Sequence, residues 1–309
     1  MKKILIATTA LALTASVAAA EVKFSGDARM GLRYNSIAAQ KTQLEKRMTV
    51  NIDGSTTADN GVTFGARVRI RSDENTGSAV NGARVYVRAG GLTVAAGNIL
   101  GAIESMPGLY TPSVGLTGLR WSGLVTNTNA RGYFGWDAYD SRGNGAEGIE
   151  AIYSAGDFTV HLSHSSNSLR GIAAPSLSQT GLYGSYNMSG WTLALGVMDA
   201  TGNANDKVIA SVGGKIGDYS VGLGLADNDG TMKVALSGSG TWGATTVNAY
   251  VAQEEKNAAL GLSSSTSIGL GVAYNMGGGA AIAGGIERSD SGVAGSKQTR
   301  ADLGVKFNF

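Results

Sequence analysis

The chain has 309 residues and a mass of 31.4 kDa, with 47 Gly, 3 Pro, no Cys and 16% charged residues. Glycine is about twice its usual ~7%, yet proline is scarce and no G-X-Y period is present, which argues against collagen and against a Pro/Gly linker protein. The missing cysteines exclude disulfides and thiolate metal sites. A hydrophobic content of 43% and a mean hydropathy of +0.01 are too low for a helical transporter, which needs runs of about 20 apolar residues.

The one run that comes close is N-terminal. Met1-Lys2-Lys3 is a short basic segment, Ile4 to Val17 is almost wholly apolar or small, and Ala18-Ala19-Ala20 supplies the small residues of a cleavage site. This pattern predicts a signal peptide over 1–20 and an exported domain over 21–309. Without Lys2 and Lys3, the 25 cationic side chains fall to 23, which equals the 23 acidic ones. No basic excess points to nucleic acid.

From Val22 the period is two. Val22, Phe24, Gly26, Ala28, Met30, Leu32 and Tyr34 share one face, and Lys23, Ser25, Asp27, Arg29, Gly31, Arg33 and Asn35 share the other. A strand sends successive side chains to opposite faces, so this segment is apolar on one side and polar on the other. The pattern recurs at Arg47–Ile52, Arg67–Arg71, Arg84–Arg88, Trp191–Met198, Tyr219–Ala226 and Arg300–Phe309, with turn signals between the runs such as Gly90-Gly91, Ser189-Gly190 and Gly277-Gly278-Gly279.

Long alternating strands, with Arg after Arg on the polar face, fit an antiparallel all-β barrel with lipid outside and water inside. Tyr153, Phe158, Tyr186, Trp191, Tyr219, Trp242 and Tyr274 all lie beside short turns, as an interfacial aromatic girdle requires. We count sixteen strands, at about 22–35, 43–54, 62–72, 82–89, 92–98, 147–154, 158–165, 178–188, 191–199, 206–216, 219–226, 231–241, 245–253, 266–275, 280–287 and 298–309. Counting alone also admits fourteen or eighteen.

One connection, 98–146, is much longer than the rest. Ile99, Leu100, Ile103, Met106, Leu109, Tyr110, Leu116, Leu119 and Trp121 make it too apolar to dangle in water. It is expected to fold into the barrel.

Several segments resemble a known family. Glu21–Asn35 (EVKFSGDARMGLRYN), Tyr274–Phe309 and Leu100–Tyr110 (LGAIESMPGLY) are similar to the general-diffusion porins of Rhodobacter and related alphaproteobacteria; the middle, about 160–260, matches only in pattern. The resemblance implies a sixteen-stranded homotrimer of the outer membrane, amid lipid and lipopolysaccharide, that passes small hydrophilic solutes through water-filled pores. It implies that the long loop narrows each pore as an eyelet. It also implies that Phe309 signals to the outer-membrane insertion machinery. Strands one to five and sixteen would carry the trimer contacts, through outward Phe24, Val50, Val68, Val85, Val87 and Phe309, with the loop Ser72–Asn81 reaching the neighbour.

The candidate constriction residues are Arg29, Arg47, Arg67, Arg69, Arg84 and Arg88, all of lumen parity, with Glu104 as the counter-charge on the loop. Arg33 and Arg71 share the parity. The outermost, Arg33, Arg71 and Arg84, also read as solvated rim charges. Family members tend to carry several acids on the loop; here Glu104 is the only one between Asn98 and Arg120. Whether Asp137, Asp140 and Glu147 reach the eyelet stays open; weak anion preference is expected, or near-neutral selectivity if Asp137 and Asp140 fold into the eyelet.

His161 and His164 cannot share a metal on a strand, since residues three apart face opposite sides. No catalytic constellation is present, so an enzyme is not expected. Nor is a cofactor: the resemblance leaves room for structural calcium at loop carboxylates, but no D-x-[DN]-x-[DN]-G loop supports it. The alternatives to a passive channel are a substrate-selective channel and a plugged structural or adhesive barrel.

Overall fold

The computed structural model describes residues 20–74, 77–129, 132–133, 137–141, 147–170, 178–201, 206–290, 292–293 and 295–309. The predicted signal peptide, apart from Ala20, lies outside them. The strands are β1 (Glu21–Asn35), β2 (Thr42–Thr57), β3 (Thr63–Asp73), β4 in two pieces (Gly77–Val80 and Arg84–Ala89), β5 (Leu92–Gly97), β6 (Glu147–Ala155), β7 (Phe158–Ser166) and β8 (Ser178–Met188). They continue as β9 (Trp191–Ala200), β10 (Lys207–Ile216), β11 (Tyr219–Asn228), β12 (Met232–Trp242), β13 (Thr245–Glu254), β14 (Ser265–Gly277), β15 (Ala280–Ser289) and β16 (Gln298–Asn308).

Every strand pairs antiparallel with its sequence neighbours, and β1 pairs with β16 to close the ring. The sheet therefore has sixteen positions, both pieces of β4 lying on β3. The fourth strand was expected as one run over 82–89; it instead begins earlier, at Gly77, and is interrupted over 81–83, from Asn81 on. The Asn81 side chain accepts the Arg69 N–H at 2.6 Å while its own N–H donates to the Arg69 carbonyl at 2.9 Å. One residue thus occupies both ladder positions, and the chain must bulge around it. Closure leaves no sheet edge, which is what a strand structure in lipid needs.

The alternation predicted from sequence is the alternation seen. Met30, Leu32, Leu195, Val208, Leu236, Ile268 and Leu303 are exposed on the outer face, the reverse of a soluble core. Tyr153, Phe158, Tyr186, Tyr219, Trp242 and Tyr274 are exposed beside the short turns. Tyr219 and Trp242 meet edge to face at 5.9 Å. Trp191 lies half-buried on the outer face, and any side chain at Gly214 would meet its ring. Ser189 and Gly190 both take positive φ, 49° and 82°, as a two-residue hairpin turn demands. Among the described residues no helix is long and apolar enough to cross a membrane.

The buried apolar cluster sits inside the barrel. Ile103, Met106, Leu109, Val114, Leu124 and Val125 of the long loop pack on Tyr183, Ala194, Ile209, Ala226, Ala235 and Tyr250 of the wall. The glycine excess makes room for this. A Cβ at Gly271 or at Gly285 would come within 2.7 Å of the Gly115 nitrogen, so larger residues at either position would push the loop off the wall.

Candidate functional site

The loop leaves β5 at Asn98, makes a single helical turn, Ala102–Ser105, and runs around the inner wall. Polar wall residues fasten it in order. Ser163 Oγ accepts the Ala102 N–H at 2.8 Å, and Ser211 Oγ donates to the Pro107 carbonyl at 2.6 Å. Asn248 donates to the Ser113 carbonyl at 2.8 Å and Asn228 to the Val125 carbonyl at 3.0 Å. Lys233 of β12 donates to the Asn127 carbonyl. The tightest clamp is Asp302, which accepts the backbone N–H groups of Leu116 and Thr117 at 2.8 and 2.7 Å and the Thr117 hydroxyl at 2.6 Å.

These fastenings run from β7 round to β16. The opposite wall, β1 to β5, keeps its long cationic side chains. The ladder places Arg29 opposite Arg47, Asn51 opposite Arg69, Asp53 opposite Arg67, and Arg67 opposite Arg84. All eight arginines picked out by parity therefore face the lumen.

They do not form a bare positive wall. Arg29 Nε donates to Glu45 at 2.6 Å, Arg67 Nε to Asp53 at 2.5 Å and Arg84 Nε to Glu150 at 2.8 Å. Arg47 lies 3.7 Å from Asp27. Arg69 sits over the Tyr139 ring at 4.8 Å, while Arg88 donates to Thr93 at 3.1 Å and flanks Tyr86. Arg33, expected at the rim, contacts Glu74 at 3.2 Å, and Arg71 donates to Ser141 at 3.0 Å.

Glu104 takes a different place from the one expected. Its carboxylate accepts the Tyr110 hydroxyl of the same loop, and the Arg120 guanidinium stacks on that ring at 4.4 Å. Burial holds the Arg120 pKa below the ordinary arginine value, although Tyr110 and Glu104 favour its charge. Asp137 turns to the β7 wall, where Ser163 Oγ donates to it at 2.6 Å, and Asp140 bonds Asn98 through its backbone. Burial pushes the Asp137 carboxyl up to about 6, against the Ser163 hydrogen bond and His161.

His161 faces inward, 3.0 Å from Glu150, and His164 faces outward beside Thr180. The two histidines are thus divided as the strand period requires. Among the described residues no group of three or more His, Asp or Glu gathers in a way that would hold a metal.

Three water-accessible spaces lie between the loop and the basic wall, of about 640, 580 and 420 Å³. The first and third share Arg29, Arg47, Thr117, Gly118 and Trp121. The second is lined by Arg67, Arg69, Arg84 and Arg88 on the wall and by Leu100, Ser105 and Tyr139 on the loop. An apolar hollow of about 490 Å³ beside Leu193 and Leu223 lies on the outer, lipid-facing surface instead.

A closed barrel with an apolar exterior, an aromatic girdle and a polar, charged lumen defines a transmembrane β-barrel channel. Residues 7–309 match the Gram-negative porin family, and the chain belongs to that family. It is similar to the porin of Fuscovulum blasticum, at 29% identity over 304 residues, and to the porin of Rhodobacter capsulatus, at 29% over 318 residues. Each alignment covers 94% of this chain and all of the relative. Among solved structures it is similar to a mutant of Rh. blastica porin, with a TM-score of 0.80 and 27% identity, and to a triple mutant of Rhodopseudomonas blastica porin, with a TM-score of 0.80 and 28% identity. Both cover 94% of this chain and 100% of that structure. The protein is an outer-membrane porin, a channel for small hydrophilic solutes, as its terminal segments and loop led the sequence reading to expect.

Sequence reasoning put Asp27 on the polar face but assigned neither it nor the other wall carboxylates as partners of the arginines, although their signal was available. Asp27 and Glu45 sit two residues before Arg29 and Arg47, and Asp53 six after Arg47, so all three share the lumen parity. The Arg84–Glu150 pair needed β4, β5 and β6 to be seen lying side by side. Arg120 lies in irregular chain, where no period speaks.

Proposed function

We propose that solutes diffuse passively between the long loop and the β1–β5 wall, with Arg29, Arg47, Arg67, Arg69, Arg84 and Arg88 lining the constriction. The observation that carries this is the placement of the spaces: each is bounded by these arginines on one side and by the loop on the other. Glu104 acts from within the loop, through Tyr110 and Arg120, rather than as a facing acidic wall. No chemistry and no cofactor are required of such a path.

The finer assignments are also ours. Residues 1–20 direct export, and the working form is a homotrimer joined through β1–β5 and β16. Phe24, Val85 and Phe309 are exposed on that outer face and Val50 and Val68 half-exposed, which supports such a contact. Glu74, in the segment proposed to reach a neighbour, also bonds its own chain at Arg33 and Lys46. Lipopolysaccharide outside and the insertion machinery during assembly complete the set of partners.

Single-channel recording in a planar bilayer tests the main reading. Current rising linearly with salt supports free diffusion. Saturating current with no added solute would instead favour a selective site, and no current would favour a plugged barrel.

A further inference from the structure

The loop side of the constriction carries a cation where an acid was expected. Arg120 lines the 420 Å³ space together with Arg29, Arg47 and Lys306 of the wall; among the described residues Asp27 is the single carboxylate lining it. The two arginines nearest to neutral pairing are unequal. Arg29 is held by Glu45. Arg47 has only the 3.7 Å approach of Asp27, and its Nε is enclosed without an acceptor among the described residues.

Arg120 is held in place by the loop. It donates to the Thr111 carbonyl at 3.2 Å and stacks on Tyr110, which in turn meets Trp121 edge to face at 6.0 Å. A guanidinium fixed in this way gives up little rotamer freedom on binding. Two guanidinium forks that approach one space from opposite sides suit an anion with several oxygens, which accepts paired N–H bonds, more than a spherical monovalent ion.

We propose that this space is a binding site for solutes bearing a doubly charged phosphate group, held between Arg47 of the wall and Arg120 of the loop with Lys306 as a further positive charge. The proposal rests on the reading of this lumen as the solute path. It places a selective step within a general channel, because the neighbouring space is lined by the same Arg29 and Arg47, so a solute crossing one meets residues of the other.

The test is chloride current through the full-length protein in a planar bilayer at pH 8, titrated with inorganic phosphate at constant ionic strength. Chloride current without phosphate checks the channel reading by itself; its absence would remove the ground for this proposal. Phosphate is expected to reduce the current saturably. Arg47→Ser and Arg120→Ser should each weaken the block about tenfold or more, since a hydrogen bond to a charged group is worth about 1.5–3 kcal/mol and each decade about 1.4. Arg120→Lys keeps the charge without the fork and should fall between, which covers a Ser variant that fails to fold. Lys215→Ser, on the far wall, should leave the block unchanged. An undiminished chloride current in phosphate, equal block in the arginine variants, or equally strong block by succinate would overturn the assignment.

Discussion

Asp302 on β16 accepts both the backbone N–H and the hydroxyl of Thr117, at 2.7 and 2.6 Å, across 185 residues of sequence. With the Leu116 N–H, one buried carboxylate satisfies three donors of a segment with no regular structure of its own. Hydrogen bonds to charged groups are worth about 1.5–3 kcal/mol each, and a buried N–H left without an acceptor costs about 1–3. Asp302→Ala should therefore release Val114–Leu119 from the wall. The expected result is noisier open-channel current and a lower thermal unfolding midpoint. A quiet, wild-type trace would mean that the loop is held by its other fastenings alone.

Barrel closure puts a similar demand on the C-terminus. Gly26 N–H donates to the Phe309 carbonyl at 2.7 Å and Phe309 N–H to the Gly26 carbonyl at 3.0 Å. Any Cβ at Gly26 would collide with the Phe309 ring, so the ring covers the bare backbone there. Deleting Phe309 removes two bonds from the seam that closes the barrel. Heat-modifiable protein in the outer membrane should drop while export continues. Wild-type levels after the deletion would show that neither the seam nor a terminal assembly signal needs this residue.

The fold was legible because a strand in lipid has one face for each solvent, so parity carries both the membrane side and the lumen side. That is why Arg29, Arg47 and Arg67 could be assigned inward and Phe24 and Val50 outward from spacing alone. Parity also hid something. It reports the face of a residue but not its partner, and the pairing of Arg84 with Glu150 depends on β4, β5 and β6 lying side by side across 66 residues. The loop resisted for a different reason. Its course is set by where the wall is bare, at Gly271 and Gly285, and by single carboxyl and hydroxyl groups such as Asp302 and Ser163. None of these produces a period. The excess of glycine was visible at once, but its use as space for the loop was not.

Asp137 gives the loop a dependence on pH. Its carboxyl is pushed up to about 6, chiefly by burial, from an ordinary 3.8. Between those values the folded chain binds more protons than the unfolded chain, so stability falls as pH rises from about 4 to about 6 and the cost persists above that. Ser163 donates to this carboxyl, His161 favours its charge and Glu150 opposes it. Asp137→Asn keeps an acceptor for Ser163 without the charge. The variant should unfold at a higher temperature than wild type at pH 8 and at nearly the same temperature at pH 4. A difference that does not vary with pH would show that Asp137 is not the titrating group.

Selectivity follows from which cations are matched. Arg67 and Asp53 form a close pair, so removing both, as Arg67→Ser with Asp53→Asn, conserves the net charge of the lumen. Arg69 rests on Tyr139, and Arg88 on Thr93 and Tyr86; replacing both by Ser removes two positive charges from the same 580 Å³ space. In a salt gradient the wild-type channel should show a modest anion preference. The paired variant should leave the zero-current potential almost where it was, whereas Arg69→Ser with Arg88→Ser should move it toward cations. The shift should grow as salt falls, since screening extends over about 10 Å at 0.1 M and about 30 Å at 0.01 M. Glu104→Gln removes a negative charge beside Arg120 and should move the potential the other way. If the Arg69 and Arg88 variant keeps both the wild-type potential and the wild-type conductance, ions do not pass along this wall, and the path must run through the spaces lined by Arg29 and Arg47.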